Sequence, residues 1–131
     1  MVGDTGQLVF VDGASNGKVV EAVVGKSKKG DMVYGPNRIY PKGKYIARFF
    51  LRKSRAKKKN AKGNAAELLV TDGRNITTYG KRMLTAQELN KKSFSGLDVD
   101  FELARADELS FHVRFMGTVG LQLDNIEIIR R

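Results

Sequence analysis

Alternation of apolar and polar side chains is the dominant pattern of this chain, and its longest run follows a Pro-Lys-Gly turn at 41–43. From Tyr45 to Leu51 every odd position is apolar, whereas the even positions mix arginine with Ile46 and Phe50. A period of two is that of a β-strand, because successive side chains point to opposite faces. The pattern therefore predicts an internal strand over 45–51 whose second face is only partly exposed to solvent.

The same period recurs in short stretches bounded by glycine, proline, asparagine or aspartate. It is cleanest at 97–103 and 109–115, and the Asp-Gly pair after 67–71 predicts a hairpin with 75–84. In the last stretch, 121–128, the apolar positions change from odd to even halfway along, which predicts a β-bulge or a switch of the strand between sheets.

One helical signal interrupts the strands, since Thr85 is followed three positions later by Glu88 as in a capping box. It predicts a single short helical turn. Short strands that recur roughly every 8–12 residues predict an all-β fold, an antiparallel β-sandwich (jelly roll) of about 8–9 strands.

Composition limits the class of protein. With 131 residues, 41% of them hydrophobic, the chain is expected to form a single β-sandwich domain over 1–131. It contains no cysteine, which excludes disulfides, thiolate metal sites and cysteine nucleophiles. No apolar run approaches the roughly 20 residues that cross a bilayer, so the chain as given is expected to be soluble, without a membrane span.

The formal net charge of +10 is concentrated in one stretch, which is predicted to be a flexible basic loop at 52–64. Between 52 and 62 there are seven cationic residues and no acidic one, and these are the candidate polyanion-binding residues: Arg52, Lys53, Arg55, Lys57, Lys58, Lys59 and Lys62. The loop is interpreted as a solvated, mobile connection, a polyanion contact, or a contact with acidic lipid or a partner protein. No aromatic residue lies within 52–62, which argues against stacking on single-stranded bases.

Five stretches, at 32–36, 40–45, 69–73, 109–115 and 121–128, together resemble the carbohydrate-binding-module-like jelly rolls of the galactose-binding-domain type. The resemblance extends over about residues 8–129. It implies a non-catalytic domain that binds sugars, sometimes with a structural calcium as its only cofactor. The chain departs from that pattern because it has no tryptophan for stacking against a sugar, and its first strand lacks the paired acidic residues that commonly hold the calcium.

Residues that neighbour glycine or proline near strand ends are the candidates for sugar contact. A tyrosine there presents its ring to the C–H face of a sugar and its hydroxyl to the edge, although packing at a strand end is the alternative. The tyrosines concerned are Tyr34, Tyr40 and Tyr79. Their polar neighbours in the same loops, Asn37, Arg38 and Arg82, complete the predicted ligand-binding residues as groups that supply hydrogen bonds. The hypothesis requires the loops at 34–40 and 79–82 to lie at the same end of the sandwich.

No catalytic residue is predicted. The single histidine, His112, lies on the polar side of an alternating strand, where it is expected to be solvated or paired across strands. Asp98, Asp100 and Glu102 alternate along another strand, which favours cross-strand charge pairs over a glycosidase pair or a metal site.

Two functions follow from these observations. The first is a non-catalytic carbohydrate-binding module, an accessory domain of a larger glycan-related or cell-surface protein, whose partner is an oligosaccharide or polysaccharide. The alternative is a structural or assembly jelly-roll module whose basic loop contacts nucleic acid or another polyanion.

Overall fold

The computed structural model describes residues 2–3, 6–10, 18–23, 30–33, 37–54 and 63–131. Within them the backbone forms ten strands and one 3₁₀ turn, Ala86–Glu88. The strands are β1 (Gln7–Phe10), β2 (Lys18–Ala22), β3 (Gly30–Val33), β4 (Arg38–Tyr40), β5 (Gly43–Lys53), β6 (Asn64–Asp72), β7 (Thr78–Thr85), β8 (Ser95–Leu103), β9 (Asp107–Phe115) and β10 (Leu121–Arg130). The all-β prediction is confirmed, and β4 is the strand that the alternation did not predict.

The strands form two antiparallel sheets. The first sheet has the order β1-β2-β10-β5-β8, and the second has the order β3-β9-β6-β7, with β4 pairing along β9 beyond β3. The two inner faces share one apolar core, which contains residues from both sheets. The predicted antiparallel sandwich is therefore confirmed. No helix in the described part of the chain is long and apolar enough to span a membrane.

The predicted long strand is β5, which lies between β10 and β8 and is therefore internal. Phe49 and Leu51 project from it into the core, where they join Phe111 and Val113 of β9 and Leu123 of β10, as the alternation predicted. The middle position of the sheet belongs to β10, because that strand pairs with β2 on one side and with β5 on the other.

Three local predictions from the sequence are confirmed. β6 pairs with β7 in a hairpin, and the register of β10 against β5 shifts between Leu123 and Ile126, where the apolar positions change parity. The backbone N–H of Thr85 donates a hydrogen bond of 3.0 Å to Glu88, which begins the 3₁₀ turn in a capping-box arrangement.

The strand directions bring three connections to one end of the sandwich. Gly43 pairs with Leu103, and Tyr40 pairs with Asp107, so the connections at 40–43 and 103–107 adjoin. Because Asp72 lies beside the start of β9, the hairpin turn at 72–78 reaches the same end. The basic stretch precedes β6 in the sequence and therefore adjoins the opposite end of that strand. Because β6 has nine residues, its two ends are about 25 Å apart.

Candidate ligand-binding cleft

A polar cleft of about 320 Å³ opens at the end of the sandwich where these three connections meet. Its walls come from the turn after β6, the start of β7, the β8–β9 turn and the start of β9. The residues that line it are Asp72, Gly73, Arg74, Thr77, Tyr79, Arg105, Asp107 and Glu108. Tyr79 is the single aromatic side chain among these lining residues.

The turn at 72–77 is held by hydrogen bonds made within it. The carboxylate of Asp72 accepts from the backbone N–H groups of Ile76 and Thr77 at 2.7 and 3.2 Å, and the Asp72 N–H donates to the Thr77 carbonyl at 3.0 Å. Asn75 has a positive φ of 59°, a conformation that asparagine tolerates better than most residues. The Gly73 N–H donates to the carbonyl of Glu108 at 2.8 Å, which ties the turn to β9.

Tyr79 and Asp107 form a second tie across the cleft. The Tyr79 hydroxyl donates a hydrogen bond to the Asp107 carboxylate, whose other oxygen accepts from the Glu108 N–H at 2.8 Å. These two bonds, the first being the stronger cause, hold the pKa of Asp107 below its ordinary value. The same bond raises the pKa of Tyr79, because ionisation of the phenol would remove the proton that it donates. Asp107 is therefore a carboxylate in the folded protein at neutral pH.

Four lining side chains are exposed, namely Arg74, Thr77, Arg105 and Glu108. Arg105 and, more weakly, Arg74 lie near enough to Asp107 for their charges to lower its pKa further. Within the described ranges, neither guanidinium forms a hydrogen bond or an ion pair. The cleft thus combines two fixed carboxylates with cationic donors that remain accessible.

Two of the predicted sugar-contact residues lie at this end of the sandwich. Tyr79 lines the cleft, whereas Tyr40 pairs in register with Asp107 and turns its ring inward. The Tyr40 ring packs edge-on against Tyr45 and Phe111, with centroid distances of 6.0 Å in both cases. Tyr40 and Tyr79 thus lie at the same end of the sandwich, but only Tyr79 faces the cleft. The predicted loops are mostly strand where they are described, because 38–40 form β4 and 79–82 belong to β7, and 34–36 lie outside the described residues.

The other predicted sugar-contact residues are dispersed. Asn37 and Arg38 are exposed at β4, on the far side of β9 from the turn at 72–77. Arg82 points away from the cleft, because its guanidinium donates to Glu88 at 2.7 Å and to the carbonyl of Asp98 at 3.2 Å. Tyr34 lies outside the described residues.

The predicted basic loop begins later than position 52 in this structure. β5 continues through Lys53, and Arg52 is buried, with 5% of its surface exposed. The Arg52 Nε donates to Gln122 at 2.8 Å, and the guanidinium lies 4.3 Å from the centroid of the Phe94 ring. Because of these contacts, the Arg52 side chain is not accessible to a polyanion. Of the remaining candidates, Lys53 is half-buried at the end of β5, and Arg55, Lys57, Lys58, Lys59 and Lys62 lie outside the described residues.

His112 is buried rather than solvated, with 3% of its surface exposed. Its Nε2 lies 2.9 Å from Asn75 Oδ1 and 3.2 Å from Thr71 Oγ1, and its Nδ1 lies 3.3 Å from Asp31 Oδ2. Pairing with neighbouring strands was therefore predicted correctly. The expected exposure was wrong, because the turn at 72–77 places Asn75 against the ring.

Cross-strand charge pairing is confirmed for one of the three acidic side chains of β8. Asp98 lies opposite Arg48, and the Arg48 Nε to Asp98 Oδ1 distance is 2.7 Å. Asp100 lies 3.6 Å from the guanidinium of Arg131, which follows β10 rather than belonging to the paired strand. Glu102 lies opposite Lys44, and it forms no ion pair with any of the described residues. In the described part of the chain, no three or more histidine or acidic side chains converge as a metal site.

Most of the cleft was missed by sequence reasoning, because its residues lie in turns and show no periodicity. A signal was nevertheless present in the order of strands. When consecutive strands reverse direction, whether within one sheet or between the two sheets of a sandwich, the odd connections meet at one end and the even ones at the other. Applied to β5 through β9, this rule places Arg74 and Arg105 together, at the end opposite the basic stretch.

The fold is that of carbohydrate-binding-module jelly rolls. The structure is similar to the C-terminal family 6 module (CBM6) of the marine laminarinase LamC from Zobellia galactanivorans, with a TM-score of 0.63, 12% identity, and coverage of 96% of this chain and 89% of that one. It is also similar to a family 16 carbohydrate-binding module, with a TM-score of 0.65, 16% identity, and coverage of 98% and 87%.

A third similar structure contains a CBM22-1 module joined to a catalytic GH10 module. It is the xylanase Xyn10B of Clostridium thermocellum complexed with xylohexaose, with a TM-score of 0.59, 15% identity, and coverage of 99% of this chain but 25% of that one. No known protein-family model matches the sequence, and no curated protein sequence matches it. At these identities the likeness establishes the fold.

Proposed function

We propose that this protein is a non-catalytic carbohydrate-binding module that holds an oligosaccharide in the cleft bordered by Tyr79. The observation that carries the proposal is a preformed polar cleft with one aromatic wall, at one end of a jelly roll shared with carbohydrate-binding modules. Hydroxyl-rich ligands need fixed donors and acceptors, and an aromatic ring packs against their C–H faces.

The cleft suits binding because its turns are already held in place. The bond from Gly73 to Glu108 and the bond from Tyr79 to Asp107 join three strands around it. Binding of a ligand therefore loses little conformational entropy to the ordering of these loops. With one tyrosine ring and a few polar groups, the expected dissociation constant for a single sugar is in the millimolar range, which corresponds to about 4 kcal/mol. Multivalent display would raise the apparent affinity.

The environment of Asp107 favours binding over hydrolysis. A glycosidase needs one carboxyl group that stays protonated near neutral pH as the general acid. The hydrogen bonds from Tyr79 and the Glu108 N–H lower the pKa of Asp107, so this side chain does not suit that role. They support a positioning role for Asp107 rather than a catalytic one.

The test is a chemical-shift titration of the ¹⁵N-labelled protein with a panel of neutral and acidic oligosaccharides. We expect the amide shifts to concentrate at 72–79 and 103–108. Removing the Tyr79 hydroxyl in Tyr79→Phe should weaken binding by about fivefold, because a sugar hydroxyl that donates to the phenolic oxygen loses a contact worth about 1 kcal/mol. The matched variant Tyr40→Phe removes a hydroxyl at the same end but outside the cleft, and it should bind as the parent does.

Shifts confined to residues 52–62, with the cleft residues silent for every sugar, would contradict this proposal. They would favour the alternative, an assembly module that contacts a polyanion through its basic stretch. That alternative is supported by the sequence between 55 and 62 and by the net charge of +10.

A further inference from the structure

The polar groups of the cleft divide into those that the protein already uses and those that remain for a ligand. Asp72 accepts two backbone N–H groups on Oδ1, and both oxygens of Asp107 accept hydrogen bonds, one from Tyr79 and one from the Glu108 N–H. Asp107 is therefore largely satisfied within the fold. Among the described residues, Oδ2 of Asp72 accepts no hydrogen bond, so it remains an acceptor for a ligand.

The donors of the cleft, in contrast, are not engaged by other described residues of the protein. Arg74 and Arg105 are exposed, and each lines the cleft from a different turn. Among the residues that the structure describes, no carboxylate lies within 4.0 Å of either guanidinium, although the charges of both act on Asp107. A guanidinium carries five N–H donors in a planar fork that matches a carboxylate or a sulfate group. Two such forks facing one cleft favour an anionic ligand group.

Glu108 is the remaining exposed carboxylate of the cleft. Its side chain lies over Gly73, where a Cβ would approach Oε1 to 2.2 Å, so the position of the carboxylate depends on the glycine. A carboxylate accepts hydrogen bonds from sugar hydroxyl groups. The accessible groups thus comprise two cations that suit an anion, and the carboxylate oxygens of Glu108 and Asp72 Oδ2, which suit neutral hydroxyls.

We propose that the cleft selects an anionic sugar, with Arg74 and Arg105 clamping a uronate carboxylate or a sulfate ester while Glu108 accepts from neighbouring hydroxyls. This inference rests on the proposed carbohydrate-binding function and specifies the class of sugar. The net charge of +10 also favours the approach of acidic polysaccharides. The specificity itself comes from the two guanidinium groups of the cleft.

The experiment compares matched ligands by isothermal titration calorimetry and ¹⁵N shift titration. One pair is a uronate-containing tetrasaccharide and the same tetrasaccharide with its carboxyl groups reduced to alcohols. The other pair is a sulfated tetrasaccharide and its desulfated form. We expect at least one anionic member to bind about tenfold more tightly than its neutral counterpart, since charge-assisted hydrogen bonds are the stronger class. The pair that shows the preference identifies the anionic group.

The variants Arg74→Gln and Arg105→Gln should each reduce the affinity for that anionic ligand about tenfold, with little effect on its neutral counterpart. The matched control is Lys81→Gln, which removes one positive charge from an exposed position of β7 that does not line the cleft. It should change the affinity less than twofold.

Three results would overturn the inference. Equal binding of each anionic ligand and its neutral counterpart would refute selection of an anion while leaving carbohydrate binding intact. If Lys81→Gln lost as much affinity for the anionic ligand as the arginine variants do, the preference would be due to general charge attraction. Absence of binding for all four ligands would refute the proposed function together with the inference.

Discussion

Substitution of Arg52 by methionine tests whether this arginine is a structural residue or an accessible cation. In the structure its side chain connects three strands of the first sheet. Arg52 of β5 donates to Gln122 of β10 at 2.8 Å, and Gln122 donates in turn to Glu21 of β2 at 2.6 Å. The Phe94 ring packs against the other side of the guanidinium. Arg52→Met retains much of the aliphatic volume and removes the hydrogen bond to Gln122 and the contact of the guanidinium with Phe94.

The expected loss follows from those contacts. A hydrogen bond to a charged group contributes about 1.5–3 kcal/mol, and a partly desolvated cation–π contact adds about 1 kcal/mol. Methionine offsets part of this loss, because it avoids the cost of burying a charge. We therefore expect Arg52→Met to lower the free energy of unfolding by about 2–4 kcal/mol. For a domain of this size that is a decrease in Tm of roughly 10 °C.

The measurement is urea unfolding followed by far-UV circular dichroism, together with retention on a heparin column. The control is the triple variant Lys57→Ser, Lys58→Ser and Lys59→Ser, which should leave the unfolding midpoint nearly unchanged and weaken heparin retention. The reasoning about Arg52 is refuted if Arg52→Met unfolds at the parent midpoint and loses heparin retention as the triple variant does.

Three further predictions concern the scaffold. Truncation of the buried Phe111 to alanine should lower the free energy of unfolding by about 3–5 kcal/mol in urea titrations, and a loss below 1 kcal/mol would contradict the shared core. Gly80→Ala should cost about 1–3 kcal/mol in the same assay, because its Cβ would lie 2.8 Å from the carbonyl oxygen of Asp100; an unchanged midpoint would show that β7 and β8 separate freely. The hydrogen bond from Arg48 lowers the pKa of Asp98, so its stabilisation is present above about pH 4 and is lost as the pH falls through the folded-state pKa. Asp98→Asn should therefore flatten the fall of the urea midpoint below about pH 4, and an unaltered slope would assign that fall to other groups.

The strands were predictable because their side chains carry a period that the backbone geometry imposes. In β5, β8 and β9 one face is committed to the core, so every second position must be apolar. The irregularity in β10 was visible for the same reason, since a change of parity requires a bulge or a switch between sheets, and the structure shows a shift of register.

Burial of polar side chains was not predictable from that period. His112 and Arg52 both occupy positions whose strand neighbours suggest a wet face, yet both are almost fully buried. The cover comes from chain segments distant in sequence: Asn75 lies against His112, and Phe94 lies against Arg52. Alternation reports which face of a strand a residue occupies. It does not report what else packs on that face.

The cleft illustrates why fold and ligand specificity separate in this domain. Its carboxylates and arginines follow the ends of strands, in turns whose backbone is held by Asp72 and by the bond from Gly73 to Glu108. The core tolerates many combinations of apolar side chains, which is consistent with a shared fold at 12–16% identity with the modules described above. The exposed side chains of Arg74 and Arg105 in these turns are under no such packing constraint, so they can differ without altering the sandwich. Substitutions at Arg74 and Arg105 should therefore change ligand choice while leaving the unfolding midpoint close to that of the parent protein.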